Sequence, residues 1–497
     1  MNLTSRSIDR NDCKLHDYQA FASGRSPVVA TGIAVLCVTA LTLYPAARPA
    51  IGGDGRRAEA GRRAEAGRRA EADTDSVQNR WARFHGDNGQ GFSPAANLPD
   101  QWTTNDYAWT YPLAGDDVGS PIIWNDTVYL TDVGLGETGT DAGESSDTSP
   151  RGKTIDLVAI DLGSGDVRWR HSHPLADRRR HRRNSAASTT PAADDDHIYM
   201  AYGDANGASL TAYSHDGRLV WQRDLGHWEG YHGFAASPMV VDDLVILFNS
   251  QQADRLEEGQ TGGVSQMMAF DRSSGQTRWS TSLKTTRPCY GVPTIYRSSN
   301  QSQAEASAQL IAANTGNGLF GLDLRTGEMR WSLDVFNKRC CSTPLVVGDL
   351  AIASCGSGGG GNVLSAVRIP DSDDQSPEEV FRIDRNAPYV PTPAVANGLM
   401  FCIADNGIAS CIDLNQGGRR LWAKRLGGNF GASPVVVGDR VLMISLDGEA
   451  TIMRASRKAE TIASFDLGGG VGATPAVASD ALVLRVGNEL RCLRTSP

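Results

Sequence analysis

The sequence lacks the marks of a nucleic-acid binder and of the commonest enzyme classes. Its 497 residues carry 48 Lys and Arg against 57 Asp and Glu, a formal net charge of -9. Nucleic-acid-binding domains show a clustered basic face, and none dominates here. The sequence has no Gly-x-Ser-x-Gly elbow, no Walker loop and no metalloprotease helix, and its nine histidines have no zinc-like spacing. These absences exclude a nucleic-acid partner and leave no catalytic or zinc-binding motif to build on.

The N-terminal part divides into three segments. Residues 1–27 are polar, and residues 28–44 form an uncharged apolar run, slightly shorter than the roughly 20 residues of a spanning helix. The run predicts a transmembrane signal-anchor helix, with a cleaved signal peptide as the alternative. Residues 45–80 form a low-complexity tether, which repeats GRRAEA three times and has no apolar stripe to bury.

A proline that opens an apolar run recurs eight times, each time after a small residue or Val. Successive prolines are 70, 47, 55, 51, 49, 41 and 41 residues apart. The shortest unit fits four short strands with turns, which is the size of a propeller blade. The sequence therefore predicts an all-β, eight-bladed β-propeller of four-stranded antiparallel blades over residues 107–497, after a lead-in at residues 81–106. The prolines are Pro121, Pro191, Pro238, Pro293, Pro344, Pro393, Pro434 and Pro475.

Most units end in an Asp-x-x-x-Gly turn followed by a strand with a tryptophan. Phe381 stands in this place in the fifth unit and Ala463 in the seventh. The repeat tolerates these changes because each blade packs on two neighbours. The structural blade tryptophans are Trp109, Trp169, Trp221, Trp279, Trp331 and Trp422.

The last unit, which begins at Pro475, is too short for a fourth strand. Trp109 lies 12 residues before Pro121, the spacing that also separates Trp422 from Pro434. We therefore expect the strand around Trp109 to complete the eighth blade and remove the open edges of the ring.

The Asp-x-x-x-Gly-x-x-x-Trp units resemble the pyrroloquinoline-quinone repeat, and the lead-in WARFHGDNGQGFSPAANLP resembles the segment before such propellers in many bacterial proteins. The resemblance covers residues 107 to 493 and implies the fold. It leaves function open, because the family contains quinone-dependent alcohol dehydrogenases and cofactor-free scaffolds such as the lipoprotein that assists outer-membrane barrel assembly. The sequence resembles the scaffold more than the dehydrogenases.

The resemblance also bears on location, because propellers of this family usually work outside the cytoplasm. We expect a membrane anchor at residues 28–44 with the propeller on the periplasmic side, or a secreted propeller if the segment is cleaved. The arginines after the apolar run, from Arg48 to Arg63, point the other way by the positive-inside rule.

The residues four positions before the prolines are expected to surround the mouth of the axial channel. Their apolar and aromatic bias suits either a packed plug or a pocket for a flat ligand. The candidate ring consists of Asp117, Ala187, Phe234, Cys289, Cys340, Tyr389, Phe430 and Val471.

A dehydrogenase would need a quinone on the axis, a calcium ion and an aspartate base. Asp116, Asp117, Arg339 and Asn429 lie near strand entrances, but no motif places them as ligands. The leading interpretation therefore has no cofactor and no metal, with pyrroloquinoline quinone and calcium as the alternative.

Two sets of cysteines are candidates for disulfides. The resemblance implies a vicinal bond between Cys340 and Cys341, but Cys289 holds the matching position one blade earlier and is a competing partner for Cys340. Small apolar side chains lining the channel are the third interpretation. Cys402 and Cys411 flank an Asn-Gly turn, and a two-residue type I′ loop would place them directly opposite each other in a non-hydrogen-bonded pair.

An acidic loop at residues 133–147 and a basic loop at residues 177–183 are expected on the same face of the first blade. They are either solvated loops or a partner site. The leading function is a membrane-tethered, extracytoplasmic, non-catalytic scaffold for interaction or assembly with other envelope proteins. The alternatives are a dehydrogenase that depends on quinone and calcium, and a propeller that binds a small molecule or a glycan.

Overall fold

Alternating apolar residues and glycine turns fold this chain into short antiparallel strands. The computed structural model describes residues 80–94, 97–115, 117–135, 153–176, 178, 180–181, 183–256, 258, 260–298, 308–372, 374–478 and 480–494. They form an all-β, eight-bladed propeller of four-stranded antiparallel blades, as the proline spacing predicts. Short 3-10 turns at Asp87–Gly89, Thr104–Asp106 and Leu414–Gln416 are the helical elements of this part of the chain.

Three strands precede the first proline: β1 (Arg80–Trp81), β2 (Phe92–Ser93) and β3 (Tyr107–Pro112). Blade 1 is β4 (Ile122–Trp124), β5 (Thr127–Leu135), β6 (Lys153–Asp161) and β7 (Val167–Leu175). Blade 2 is β8 (Ala192–Ala193), β9 (His197–Gly203), β10 (Ala208–Ser214) and β11 (Leu219–Asp224). Blade 3 is β12 (Met239–Val241), β13 (Leu244–Asn249), β14 (Gln266–Asp271) and β15 (Thr277–Ser282). Blade 4 is β16 (Thr294–Tyr296), β17 (Gln309–Asn314), β18 (Gly318–Asp323) and β19 (Met329–Leu333).

The second half repeats the pattern. Blade 5 is β20 (Leu345–Val347), β21 (Leu350–Cys355), β22 (Val363–Arg368) and β23 (Glu378–Ile383). Blade 6 is β24 (Ala394–Ala396), β25 (Leu399–Ile403), β26 (Ile408–Asp413) and β27 (Arg419–Arg425). Blade 7 is β28 (Val435–Val437), β29 (Arg440–Ile444), β30 (Glu449–Arg454) and β31 (Thr461–Asp466). Blade 8 is β32 (Ala476–Ala478), β33 (Ala481–Val486), β34 (Glu489–Arg494) and, at its outer edge, β3.

The strand around Trp109 lies antiparallel to the last strand of the chain. Trp109 is opposite Cys492, and Pro112 is opposite Glu489. The Trp109 indole donates to the backbone oxygen of Leu162 in blade 1 at 2.9 Å. Blade 8 is therefore built from both ends of the propeller chain and hydrogen-bonded to blade 1.

Five of the six blade tryptophans, all except Trp331, join neighbouring blades by one recurring contact. The indole of Trp221 donates to the backbone oxygen of Arg272 in the next blade at 2.9 Å, and its ring lies against Gly275 in the turn there. Gly275 has φ +67°, which glycine adopts without strain, and a side chain on it would collide with the indole. The Asp-x-x-x-Gly turn and the tryptophan are therefore two halves of one contact between blades.

The residue opposite each blade tryptophan is small. Ala269 faces Trp279, Gly321 faces Trp331, and Cys411 faces Trp422. In blade 7 the small residue takes the place of the tryptophan and the large residue lies opposite it, because Ile452 faces Ala463. Volume is thus conserved where the tryptophan is missing.

Among the described residues, no helix is long and apolar enough to cross a membrane. The expected anchor at residues 28–44 and nearly all of the tether lie outside the described part of the chain.

Candidate functional site

The loops that precede the eight prolines meet around the axis at one end of the propeller, here called the mouth face. A belt of hydrogen bonds joins them. The Thr343 N–H donates to the Thr392 hydroxyl at 2.9 Å, and the Thr392 N–H donates to the Ser433 hydroxyl at 2.9 Å. The same bond links Thr190 to Ser237, Val292 to Thr343, Ser433 to Thr474, and Thr474 to Ser120.

The hydroxyl groups of the belt belong to the residues directly before the prolines. All of these Ser and Thr residues are buried, so each bond satisfies a backbone N–H that water cannot reach. The sequence signal was the small residue before each proline, whose hydroxyl group sequence reasoning did not use. The belt shows that this position holds the ring together.

The candidate mouth ring is buried throughout, with none of its eight side chains more than 9% exposed. The Phe234 ring packs on the Trp228 ring with centroids 5.4 Å apart and lies against Gly203. Phe430 packs in one hydrophobic cluster with Phe401. These contacts belong to the packing of the blades, and a ligand pocket formed by the ring stays a prediction.

Asp117 belongs to a buried charge network between blades 8 and 1. Arg485, 2% exposed, donates to Asp132 Oδ1 at 2.8 Å and lies 3.4 Å from Asp117 Oδ2. Asp117 also accepts from the N–H groups of Val133 at 3.1 Å and Ala187 at 3.3 Å. Burial raises the pKa of Asp132, and the Arg485 charge opposes that shift. These bonds use both Asp117 oxygens to join blades.

Arg339 lies at the mouth with no carboxylate among the described residues at ion-pair distance. Its Nε donates to the Pro288 backbone oxygen at 2.9 Å. Its Nη1 lies 3.1 Å from His232 Nε2 and 3.5 Å from the Tyr389 hydroxyl. Together with Tyr290 these side chains form what we call the Arg339 cluster: Arg339, His232, Tyr290 and Tyr389. Its centre is a guanidinium surrounded by neutral partners.

His232 is held in one protonation state by this contact. Because Arg339 can only donate, His232 Nε2 accepts and the proton sits on Nδ1. Burial, aided by the charges of Arg339 and His181, lowers the pKa of His232 to about 4. The His181 ring stacks on it with centroids 4.8 Å apart. At neutral pH His232 is therefore an uncharged support for Arg339.

Asp405 lies on the blade 6 side of the same mouth. Its Oδ2 accepts from the N–H groups of Tyr389 at 2.8 Å and Val390 at 3.4 Å, while its buried Oδ1 has no partner among the described residues. Burial raises the pKa of Asp405, and the bonds from Tyr389 and Val390 and the charge of Arg183 oppose that rise. The mouth thus offers a cation and one carboxylate on different blades.

The basic loop is docked on the loop between blades 2 and 3. Arg178 donates to Glu229 Oε1 at 2.7 Å and to the Trp228 backbone oxygen at 2.8 Å. Asn184 donates to the backbone oxygen of His232 at 2.7 Å. Most of the acidic loop, residues 136–147, lies outside the described residues, so the expected pairing of the two loops stays a prediction.

Residues 80–93, here called the plug, cross the channel at the end opposite the mouth face. Strand β1 pairs with the far end of β4, and β2 runs parallel to the far end of β28. Between them the plug bonds to the innermost strands or adjoining residues of the other blades. These bonds join Ala82 to Ala193, Arg83 to Pro293, Asn88 to Ile295, Gln90 to Val346 and Val395, and Gly91 to Val436.

The plug carries two fully buried basic side chains. Arg83 donates to the Pro293 backbone oxygen at 2.8 Å, and burial lowers the pKa of Arg83 to about 10. His85 has Nδ1 2.7 Å from the Gly89 oxygen and Nε2 2.8 Å from the Pro434 oxygen. Burial lowers the pKa of His85, although only the charged ring could donate to both oxygens. No sequence signal pointed to this path through the channel.

The predicted contact between Cys402 and Cys411 is wrong. Cys402 pairs with Ser410 and Phe401 pairs with Cys411, because the hairpin loop has three residues between Ala404 and Ile408. Side chains alternate along a strand, so a register shift of one residue moves the partner to the other face of the sheet. Both thiols are free and lie in different hydrophobic clusters.

The donor set at the mouth does not fit a calcium ion with a quinone. Calcium takes about six to eight oxygen ligands. Asp117 is occupied by Arg485 and backbone amides, and Asp405 offers one free oxygen. In the described ranges no three His, Cys, Asp or Glu side chains are placed to hold a metal ion. Cys340 and Cys341 are both free thiols.

The family described as outer membrane protein assembly factor BamB has a model that matches residues 152–371. No curated protein sequence matches the chain.

Solved structures with the same fold include a BamB protein and quinone-family dehydrogenases. BamB from Moraxella catarrhalis has a TM-score of 0.52 at 14% identity, over 78% of this chain and 99% of that one. A europium-containing methanol dehydrogenase has a TM-score of 0.56 at 12% identity, over 82% and 89%. The quinohemoprotein alcohol dehydrogenase from Comamonas testosteroni has 0.56 at 12%, over 84% and 81%. At these identities the likeness concerns the fold alone.

Proposed function

We propose that this chain, a β-propeller of the pyrroloquinoline-quinone-repeat family, is a non-catalytic scaffold that binds other proteins through its mouth face. One observation carries the proposal: a half-buried guanidinium, Arg339, stands at the mouth without an acidic partner among the described residues. A buried cation is costly unless it is paired. A carboxylate from a partner protein would pair it, and arginine suits such two-point recognition.

The surface around this cluster supports protein contact. Tyr231 is 38% exposed and Val264 is 55% exposed, and both lie in loops of the mouth face. Arg183 adds an exposed basic group from the docked loop. Exposed aromatic and apolar side chains beside arginine are typical of protein interfaces. We therefore propose an acidic protein segment as the partner.

The proposed location follows from the sequence. We propose that residues 28–44 hold the chain in a membrane, with the propeller on the periplasmic side and envelope proteins as its partners. Arg80, the first described residue, lies at the plugged end of the channel beside Trp124 and Asp195.

Site-specific photocrosslinking tests the proposal in the living cell. A crosslinking amino acid at Tyr231 should capture a defined partner, whereas the same residue at Leu219, 47% exposed on the outer strand β11, should not. Arg339→Gln should weaken the Tyr231 crosslink and remove its sensitivity to salt, because the charge is lost while the side chain stays polar. Equal capture from Tyr231 and Leu219 would contradict the mouth-face assignment.

The dehydrogenase interpretation makes a separate prediction. Purified protein mixed with pyrroloquinoline quinone and calcium would acquire a cofactor absorption spectrum and reduce a dye in the presence of an alcohol. We expect neither, because Arg485 and backbone amides engage Asp117, and Asp405 offers only one free oxygen to a calcium ion. Dye reduction that Asp405→Asn abolishes would overturn the non-catalytic proposal.

A further inference from the structure

Three buried cysteines meet below the mouth face at the junction of blades 4 and 5. Cys289 is 1% exposed, Cys340 is 0% exposed and Cys355 is 1% exposed, and all three belong to one hydrophobic cluster. Cys341 follows Cys340 and is partly exposed. Four thiols in so small a region allow several disulfides. The contacts of each cysteine indicate which pair is best placed to form one.

Two hydrogen bonds join the loop segments that carry Cys289 and Cys340. The Tyr290 N–H donates to the Cys340 backbone oxygen at 2.9 Å, and the Cys340 N–H donates to Cys289 Sγ at 3.3 Å. Burial raises the pKa of the Cys340 thiol, and the neighbouring Cys289 thiol raises it further. The Cys289 sulfur therefore lies against the backbone of Cys340 at the junction of the two blades.

The neighbouring residues Cys340 and Cys341 are poorly placed to form a disulfide with each other. The peptide bonds in the described part of the chain are trans, which sets adjacent Cα atoms about 3.8 Å apart, below the roughly 4.4 to 6.8 Å of ordinary disulfides. Burial raises the pKa of Cys341, and its neighbour Tyr389 on the blade 6 side opposes that rise. Cys340 and Cys341 thus point to different neighbours.

Cys355 is the other rival, because Arg339 pairs with Gly356 and brings Cys340 near it. Burial raises the pKa of Cys355, so its thiol stays protonated. Cys289 differs: burial raises its pKa, but hydrogen bonds from Cys340 and Thr315 outweigh that effect and lower the pKa to about 6. The thiolate is the nucleophile in disulfide exchange.

We propose that Cys289 and Cys340 form a disulfide when the propeller meets a low-molecular-weight disulfide such as oxidised glutathione. The Cys289 and Cys340 thiols give up two protons and two electrons, one S–S bond forms between them, and the oxidant is released as two thiols. The bond ties together the loops that carry Tyr290 and Arg339. Only its consequence for partner binding rests on the proposed function; the bond itself does not.

Peptide mapping after equilibration with reduced and oxidised glutathione distinguishes the pairs. Trypsin leaves Cys340, Cys341 and Cys355 in one peptide ending at Arg368, and Cys289 in a different peptide ending at Arg297. The proposed bond links the two peptides, whereas a bond from Cys340 to Cys341 or to Cys355 stays within one. Because Cys289 bonded to Cys341 or Cys355 would also link the two peptides, fragmentation of the linked pair by tandem mass spectrometry must place the bond at Cys340.

The linked pair of peptides should form in the wild-type chain and in Cys341→Ser and Cys355→Ser, and should be lost in Cys289→Ser and Cys340→Ser. The wild-type map decides the matter even if a variant fails to fold. A loop within the 340–368 peptide, or four free thiols at the most oxidising ratio, would overturn the proposal. Neither result depends on a partner protein, so the scaffold proposal stands or falls separately.

Discussion

The contact between Trp109 and Gly165 offers a direct measurement of how blade 8 is joined to blade 1. Gly165 has φ +80°, and a Cβ on it would lie 2.7 Å from Trp109 Cγ and 2.8 Å from Cδ2. Gly165→Ala should therefore lower the free energy of unfolding for two separate reasons. The left-handed backbone costs about 1 to 2 kcal/mol for a residue with a side chain. Displacing a packed ring adds about 1 to 3 kcal/mol.

Gly468→Ala is the matched control. Gly468 has φ +78° in the loop that follows β31 of blade 7, and no heavy atom lies within 4 Å of a Cβ built on it. Gly468→Ala should therefore lower the free energy of unfolding only by the cost of the left-handed backbone, about 1 to 2 kcal/mol. Urea unfolding of the two variants, with unchanged slopes, gives the two free energies.

A double-mutant cycle isolates the contribution of the Trp109 indole to the cost of Gly165→Ala. In a Trp109→Ala background, itself about 3 to 5 kcal/mol less stable, Gly165→Ala should cost no more than Gly468→Ala does. The coupling between positions 109 and 165 should be about 1 to 3 kcal/mol. If Gly165→Ala and Gly468→Ala cost the same in the wild-type background, the indole does not cover Gly165, and the described junction of blade 8 with blade 1 is refuted.

Three further outcomes follow from the mouth face and blade 6. Thr392→Val keeps the shape but leaves the buried Thr343 N–H unpaired, and should cost about 1 to 3 kcal/mol in urea unfolding, whereas Val292→Thr should cost less because Val292 accepts no belt bond. His232, neutral in the fold down to pH about 4, binds a proton first in the unfolded chain, so stability should fall as pH drops from about 6.5 towards 4, and His232→Gln should flatten that slope in thermal unfolding. Cys402 and Cys411 should both react with a thiol reagent in denatured, unreduced protein; a single linked pair would contradict the observed register.

The blades could be predicted because each is a local unit. The distance between successive prolines fits four strands and their turns, and the eight prolines give the number of blades. The bond from Trp221 to the turn at Gly275 shows why the motif has this form: its two halves sit in successive units and touch.

Register was harder to predict, as blade 6 shows. Asn406 and Gly407 favour a two-residue loop, but Asp405 joins them and the strands pair one residue further along. The side chain of Asp405 explains the difference, because its Oδ2 accepts from Tyr389 and Val390 of the neighbouring loop. A contact outside the hairpin thus overrides the local preference for the shorter turn.

The position of the plug could not be predicted, because the residues that it contacts form no pattern in the sequence. Arg83 bonds to Pro293, 210 positions away, and His85 faces Pro434, 349 positions away. No spacing rule connects such positions, and the small, polar and glycine residues of the segment suggest a loop. Only the closed ring brings these backbone oxygens to one place.

The plug makes the two ends of the channel chemically different, which bears on how a partner can bind. At the plugged end Arg83 and His85 are buried within packed chain, so an acidic group would have to displace the plug to reach them. At the mouth Arg339 has three neutral partners and no carboxylate among the described residues. An acidic segment therefore gains most at the mouth, where it relieves an unpaired charge that folding alone has left. Binding there should weaken as salt rises, whereas contact through the outer strands, whose Arg278 is already paired with Asp243 and Asp271, should respond to salt far less.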